Sequence, residues 1–281
     1  GLGDVYKRQM PPFRRWLFSM QHLPVKLDFE GSHNFRDLGG YPVASGRRVR
    51  DGRLFRSDAL ASLTDSDQAL LDRIGLRTVV DLRREEEREE NLDRIDNPEV
   101  EQVWLPVSAE AADVVTLRRS LERGEMGPGE AVEFLRLANR QFVEVFSPVF
   151  SQFLHMLLED HRYPLVFHCS AGKDRVGFAA AMTLFALGAD EETVMHDYLA
   201  TNHITANYVE GLVDGVMDMP IPDVDINPDA LRKLMQVERD YLGGALEIMR
   251  ERHGGVEGYL EEGLGFTTDK RERLAELLAE S

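Results

Sequence analysis

Cys169 and Arg175 stand six positions apart in the run His168-Cys-Ser-Ala-Gly-Lys-Asp-Arg175, and the two residue types suit one kind of chemistry. A thiolate is a strong nucleophile, and a guanidinium offers two parallel donors that match two phosphoryl oxygens in a way an ammonium does not. Before the cysteine, Tyr163-Pro-Leu-Val-Phe-His168 is a short apolar run with the look of a buried strand. After the arginine, Val176 to Leu187 is nearly wholly apolar and is stopped by Gly188, which marks a central core helix. A strand-loop-helix turn aims the backbone N–H groups of Ser170, Ala171, Gly172 and Lys173, on to Arg175, into one concavity at the positive end of the helix. Such a nest binds anions. Gly172 lets the backbone turn tightly. Cysteines at helix N-termini titrate as low as ~3.5–7.5, against about 8.5 for a free thiol. The resulting gain in thiolate is only some tens-fold, so stabilising charge on a transferring phosphoryl group must supply more of the rate. The alternative, a cysteine buried only for packing, leaves the neighbouring His168, Gly172, Lys173-Asp174 and Arg175 unexplained.

The elements around this loop alternate in type. Thr78-Val-Val-Asp-Leu82 and Gln102-Val-Trp-Leu-Pro-Val107 also read as buried strands. Thr64 caps a helix carrying Leu70, Leu71 and Ile74 and ended by Gly75. Val132, Leu135, Phe142, Val145 and Phe146 recur near helical spacing between Pro128 and Asp160, with Pro148 dividing the stretch. Strands alternating with helices predict an α/β fold with a mainly parallel central sheet flanked by helices. From about residue 190 the pattern is almost all helical, broken at Pro220-Ile-Pro222 and Gly254-Gly255. Residues 1–28 read as a leader, with the first methionine only at Met10, and 29–281 as one domain with a helical C-terminal extension. Ala109–Gly129 and Val213–Pro228 are either covers over the loop or ordinary surface segments.

Composition narrows the function classes. With 33 Lys and Arg against 50 Asp and Glu, the net charge is −17, which argues against nucleic acid as a partner. An anionic substrate must then be held by local basic groups. One cysteine makes no intramolecular disulfide. No stretch approaches the ~20 apolar residues of a membrane span, so a cytoplasmic location is expected. Arg47, Arg48, Arg50, Arg53 and Arg56 form a local basic cluster, read either as a face for an acidic substrate or as a solvated hairpin surface.

His-Cys-x5-Arg is the signature of the cysteine phosphatases, and His168 to Gly177 resembles the bacterial atypical tyrosine phosphatases of the mycobacterial protein tyrosine phosphatase B type. Asn34-Phe-Arg-Asp-Leu-Gly-Gly-Tyr41 resembles that family's N-terminal signature. Arg53-Leu-Phe-Arg-Ser57, Val79-Val-Asp-Leu-Arg83 and Asp197-Tyr-Leu-Ala-Thr-Asn202 are similar to further family segments, in the family's order, from about Phe29 to Asn202.

The resemblance implies a cysteine-phosphatase-like fold and a phosphomonoesterase without metal or other cofactor. Its substrates would be phosphotyrosine proteins, extending as a dual-specificity enzyme to phosphoserine, phosphothreonine and phosphoinositides. Cys169 would be the nucleophile, through a phosphocysteine intermediate, and Arg175 the phosphate clamp. Asp174 or Asp81 would protonate the leaving group, a role worth ~10²–10⁴ in rate. Asp174 lies in the loop itself; Asp81 ends a strand, where a parallel sheet places functional residues, but it equally suits a salt bridge to Arg83. His168 would orient the loop, and Arg36 and Asp37 would support it. Lys173, a further cation at the rim, resembles lipid-directed members of the superfamily and suits a polyanionic headgroup. One residue departs from the family pattern. Val176 stands where the family has a threonine or serine that helps the thiolate leave, which raises the alternative of a phospho-ligand-binding pseudophosphatase with poor turnover.

Overall fold

The computed structural model describes residues 26–108, 120, 123–218 and 226–281. Five strands make the main sheet: β1 (Arg36–Asp37), β3 (Leu54–Ser57), β4 (Thr78–Asp81), β5 (Glu101–Trp104) and β6 (Leu165–His168), in the order β1-β3-β6-β4-β5. Only the β1 pairing is antiparallel. The strand period of two sorts the side chains. Leu54, Val80, Leu165 and Phe167 join the larger core, and Phe55, Val79 and Val166 join a second one with Phe29, Phe35, Leu60 and Leu71. Helices cover both faces, as a mainly parallel sheet requires. Ser57, His168 and Asp81 stand in register across β3, β6 and β4, with Trp104 opposite Asp81 on β5. The segments leaving the C-terminal ends of these strands therefore meet at one edge, the usual place for a site in such a sheet.

The helix expected after Thr64 is present. In α1 (Asp65–Ile74) the Thr64 hydroxyl accepts from the Asp67 N–H at 3.3 Å, the Thr64 N–H donates to the Asp67 carboxylate at 2.9 Å, and Gly75 closes the helix at φ 69°. α2 (Glu85–Glu90) follows β4. The stretch after Pro128 divides at Val145–Phe146 into α3 (Pro128–Glu144) and α4 (Ser147–Met156), with Pro148 in the first turn of the second. In α5 (Asp174–Ala186) every residue from Val176 to Ala186 is buried.

The C-terminal part is helical as expected: α6 (Glu191–Ile204), α7 (Ala206–Met217), α8 (Pro228–Met235), α9 (Arg239–His253) and α10 (Thr268–Leu278). It ends in a strand the sequence did not suggest. β7 (Ala279–Glu280) pairs antiparallel with β2 (Arg48–Val49), fastening the end of the chain to the segment just before β3. Residues 1–25 of the expected leader, and 109–119, 121–122 and 219–225 of the two segments read as covers or surface loops, lie outside the described residues. Among the described residues no helix is long and apolar enough to cross a membrane.

Arg56 corrects the reading of a solvated basic cluster. It sits in β3, whose four residues are all buried, and its own exposure is 0%. The other four disperse: Arg47 reaches the Ala275 carbonyl, Arg48 that of Gly40, Arg50 that of Ala279, and Arg53 pairs with Asp160 at 2.5 Å.

Candidate active site

The loop from Cys169 to Lys173 runs out of β6 and into α5 with its carbonyls turned outward. The Ser170 carbonyl accepts from Ala59 N at 3.1 Å and the Lys173 carbonyl from Gly177 N at 2.8 Å. The Ala171 and Gly172 carbonyls accept from Asn34 Nδ2 at 3.1 and 3.0 Å, and Arg56 Nη2 adds a second bond to Gly172 at 2.8 Å. A trans peptide points its N–H opposite to its C=O, so the N–H groups of Ala171, Gly172, Lys173 and Asp174 face the inner side. The Gly172 N–H donates to Cys169 Sγ at 3.3 Å. Glycine is required there twice over: φ is +66°, and a Cβ would lie 2.6 Å from the Ser57 carbonyl oxygen. The loop is thus pressed against the end of β3, and Cys169 is buried beneath it.

Arg175, in the first turn of α5, is held by a residue that sequence reasoning missed. Glu87 of α2 takes Nη1 at 2.6 Å and Nη2 at 2.9 Å, and also accepts from the Ser170 hydroxyl at 2.7 Å. Burial works against the Glu87 charge, but these donors hold its carboxyl well below the usual carboxylate range. Burial likewise opposes the Arg175 charge, and the neighbouring Cys169 and Glu87 raise its value above the ordinary one. Nη1 also reaches the Leu82 carbonyl at 3.5 Å and Nη2 the Ser170 hydroxyl at 3.4 Å, so Nε is the N–H with no partner among the described residues.

The two candidate acids sit in different settings. Asp174 has Oδ2 2.7 Å from Lys173 Nζ, while its buried Oδ1 and the buried Tyr198 hydroxyl have no hydrogen-bond partner among the described residues. Burial first, and then the Asp174 charge, push the Tyr198 phenol well above its ordinary value. Asp81 has both oxygens bound by Arg83, Oδ1 to Nε and Oδ2 to Nη2, each at 2.9 Å. Arg83 Nη2 is also 2.9 Å from Asp93, which lies 3.0 Å from His168 Nε2 and accepts from the Leu60 N–H at 3.3 Å. Burial opposes the Asp93 charge, but His168 and Arg83 hold its carboxyl below the ordinary value. Asp81, Asp93 and His168 offer ligand atoms within 4.8 Å of one another, but the guanidinium of Arg83 already stands between the carboxylates as their cation. His168, fully buried, contacts the Cys169 carbonyl at 3.4 Å through Nδ1.

Lys173 was expected at the rim as a free cation. Its side chain is instead only 7% exposed, with Nζ between Asp174 and the Gln236 carbonyl at 3.4 Å. Asp37 also differs in detail, because it accepts from the N–H groups of Gly39 at 2.8 Å and Gly52 at 2.6 Å. It braces the turn beside the loop and makes no bond to the loop itself.

Behind the loop lies a charged cluster of which only Arg36 was anticipated. Arg36 Nε is 3.3 Å from Asp197 Oδ1, its Nη2 reaches the Asp197 carbonyl and the Thr201 hydroxyl, and its Nη1 donates to Asn34 Oδ1. Arg56 Nη1 donates to the other oxygen of Asp197. Burial and the nearby Arg56 lower Arg36 to about 10 despite Asp197, and Asp197, opposed by burial, is held below its ordinary value by the two arginines. Asn34, Arg56 and Asp197 all lie inside the quoted family motifs, which was the one signal available for them. Glu87 lies in the acidic run Glu85–Glu90, where nothing in the sequence separates it from solvated neighbours.

The sequence profile described as the tyrosine phosphatase family matches residues 27–280. A protein of Cupriavidus necator, provisionally named a tyrosine-protein phosphatase, is 30% identical over 85% of this chain and 84% of its own length. The Mycobacterium tuberculosis triple specificity protein phosphatase PtpB is 28% identical over 88% of this chain and 97% of its own. Among solved structures, P. aeruginosa TpbA covers 67% of this chain and 89% of its own at 19% identity, with a TM-score of 0.31. With its profile match spanning the described strands and helices, the chain belongs to the tyrosine phosphatase family and is a phosphatase of the protein-tyrosine-phosphatase type.

Proposed function

We propose that the protein hydrolyses phosphotyrosine monoesters in two in-line steps through a phosphocysteine, without a metal. The observation that carries this reading is the loop geometry: a cysteine sulfur receiving a backbone N–H at 3.3 Å, in a turn whose carbonyls all face away. In the first step the Cys169 sulfur forms a bond to phosphorus as the ester P–O bond breaks, and Asp174 gives its proton to the departing oxygen. In the second a water oxygen attacks phosphorus, the S–P bond breaks with its electron pair returning to sulfur, and the Asp174 carboxylate takes the proton of the water. Loop N–H groups and Arg175 bear the charge on the equatorial oxygens. Asp174 is preferred to Asp81 as the acid because it is next to the arginine in the loop, while Asp81 is bound by Arg83 at both oxygens.

We further infer that the substrate range extends to phosphoserine, phosphothreonine and phosphoinositides, a reading supported by the triple specificity in the name of the mycobacterial relative. The pairing of Lys173 with Asp174 makes the phosphoinositide arm the weaker one, since a headgroup must compete with a carboxylate for that ammonium. The test is steady-state turnover on phosphotyrosine, phosphoserine and phosphothreonine peptides and on phosphoinositide vesicles, with EDTA present throughout and Cys169→Ser as control. Turnover of the tyrosine peptide that vanishes in the control supports the reading. Binding without turnover in the wild type would favour the pseudophosphatase suggested by Val176, which is wholly buried and carries no hydroxyl.

A further inference from the structure

One amide braces two loop peptides from behind. Asn34 Nδ2 donates to the carbonyls of Ala171 and Gly172, and those two peptides carry the N–H groups of Gly172 and Lys173 on their other side. The first of them is the N–H that reaches Cys169 Sγ. A peptide beside glycine at φ +66° has little of its own to stop it from rotating and presenting its carbonyl to an anion. Asn34 supplies the lock from outside the loop.

Asn34 is itself aimed. Only 1% exposed, it has its backbone N–H on Asp58 Oδ1 at 3.1 Å and its Oδ1 on the Arg36 guanidinium. That contact fixes which end of the amide faces the loop. Arg36 and Arg56 share the single carboxylate of Asp197, so the buried cluster holds two positive charges against one negative. Arg56 meets the loop directly at the Gly172 carbonyl, and Arg36 meets it only through Asn34. A donor bound to a carbonyl polarises the N–H of the same peptide, and such chains strengthen one another in a low-dielectric interior.

We propose that Asn34 is a positioning residue of the reaction, which holds the 171–172 and 172–173 peptides with their N–H groups toward the sulfur and the phosphoryl oxygens and transmits to them the charge of Arg36. This deepens the proposed two-step hydrolysis and rests on that reading. The competing account is that Asn34 only provides an acceptor for Arg36 and keeps the cluster folded.

Tungstate, an inert phosphate-like oxyanion, reports the cradle without any chemistry. Its affinity is measured by calorimetry on the full chain as wild type, Asn34→Ala and Asn34→Asp, beside the rate at which iodoacetamide alkylates the one cysteine. Aspartate keeps the acceptor for Arg36 but donates nothing, whereas alanine removes both functions without adding charge. Both variants are expected to bind tungstate about tenfold more weakly, the scale of one or two hydrogen bonds, and to alkylate more slowly at neutral pH. If only the alanine variant weakens, Asn34 serves Arg36 alone and the proposal is wrong. If only the aspartate variant weakens, the added charge is responsible, and the proposal is again wrong, as it is if neither changes. Should the alanine variant not fold, Asn34→Gln replaces it, with its amide one methylene out of register. A wild type that binds tungstate yet hydrolyses no phosphomonoester would overturn the proposed reaction while leaving the Asn34 comparison to decide on its own.

Discussion

Asp197→Asn tests the support behind the loop most severely. The carboxylate lies between two guanidinium groups that are themselves fully buried, with its own side chain 2% exposed. Asparagine keeps the shape and one neutral acceptor, so no cavity forms. What is lost is the only negative charge among the described residues that pairs with Arg36 and Arg56. Removing one partner of a buried ion pair costs about 3–5 kcal/mol, and the retained acceptor places this case near ~3 kcal/mol. At roughly 2–4 °C per kcal/mol for a chain of this size, the melting midpoint should fall by about 6–12 °C. Urea unfolding at neutral pH should show a lower midpoint with an unchanged slope. The pH dependence adds a second check. The folded state holds Asp197 below its ordinary value, so its contribution is complete above the unfolded value and is lost as pH falls through the folded one. The gap between wild type and variant should therefore be constant near neutrality and should shrink below about pH 4. A loss under ~1 kcal/mol, or a gap that persists unchanged into strong acid, would refute a charged Asp197 as the keystone of the cluster.

Further outcomes follow from the site. Asp174→Asn should slow phosphate esters with poor leaving groups by ~10²-fold or more and activated aryl phosphates far less, whereas Asp81→Asn should lower stability through Arg83 and affect all substrates alike; a kinetic comparison over leaving groups reads both. Val176→Thr should raise the steady rate after a burst without enlarging the burst, and rapid-mixing kinetics that are linear from the first turnover in both proteins would remove that role for position 176. Glu87→Gln should reduce kcat/KM through a less well held Arg175, and since Glu87 is held below the usual carboxylate range, its stability difference from wild type should persist from neutral pH down to about pH 5 and fade below ~4, as followed by thermal unfolding across pH.

The loop was legible because its context is local. An apolar strand, a glycine turn and an apolar helix follow one another in the chain, and Cys169 and Arg175 take their places from that order alone. β4 and β6 could be read for the same reason, since burial on both faces leaves a continuous apolar run, whereas the Gln102–Val107 segment expected as a buried strand gives the edge strand β5, which stops at Trp104 and leaves Glu101, Gln102 and Trp104 exposed. β3 escaped because Arg56 interrupts its pattern, and an arginine in a core strand makes sense only with Asp197, 141 positions away. Glu87 was hidden among four other glutamates in a surface helix, and only the approach of α2 to Arg175 singles it out. Lys173 was misread because charge suggests exposure, whereas its stem lies buried and its ammonium has a carboxylate in the adjacent residue. β7 consists of two residues, too few for any periodicity.

In the proposed reaction phosphate passes through the sulfur of Cys169. Rapid acid quench of the enzyme during turnover of a phosphotyrosine substrate, followed by proteolysis and mass analysis, reads this directly. The expected result is the added mass of one phosphoryl group on the peptide carrying Cys169, forming no more slowly than product and absent in Cys169→Ser. Product released at the full rate with no phosphorylated Cys169 peptide at any quench time, or the phosphoryl group found on another residue, would contradict it.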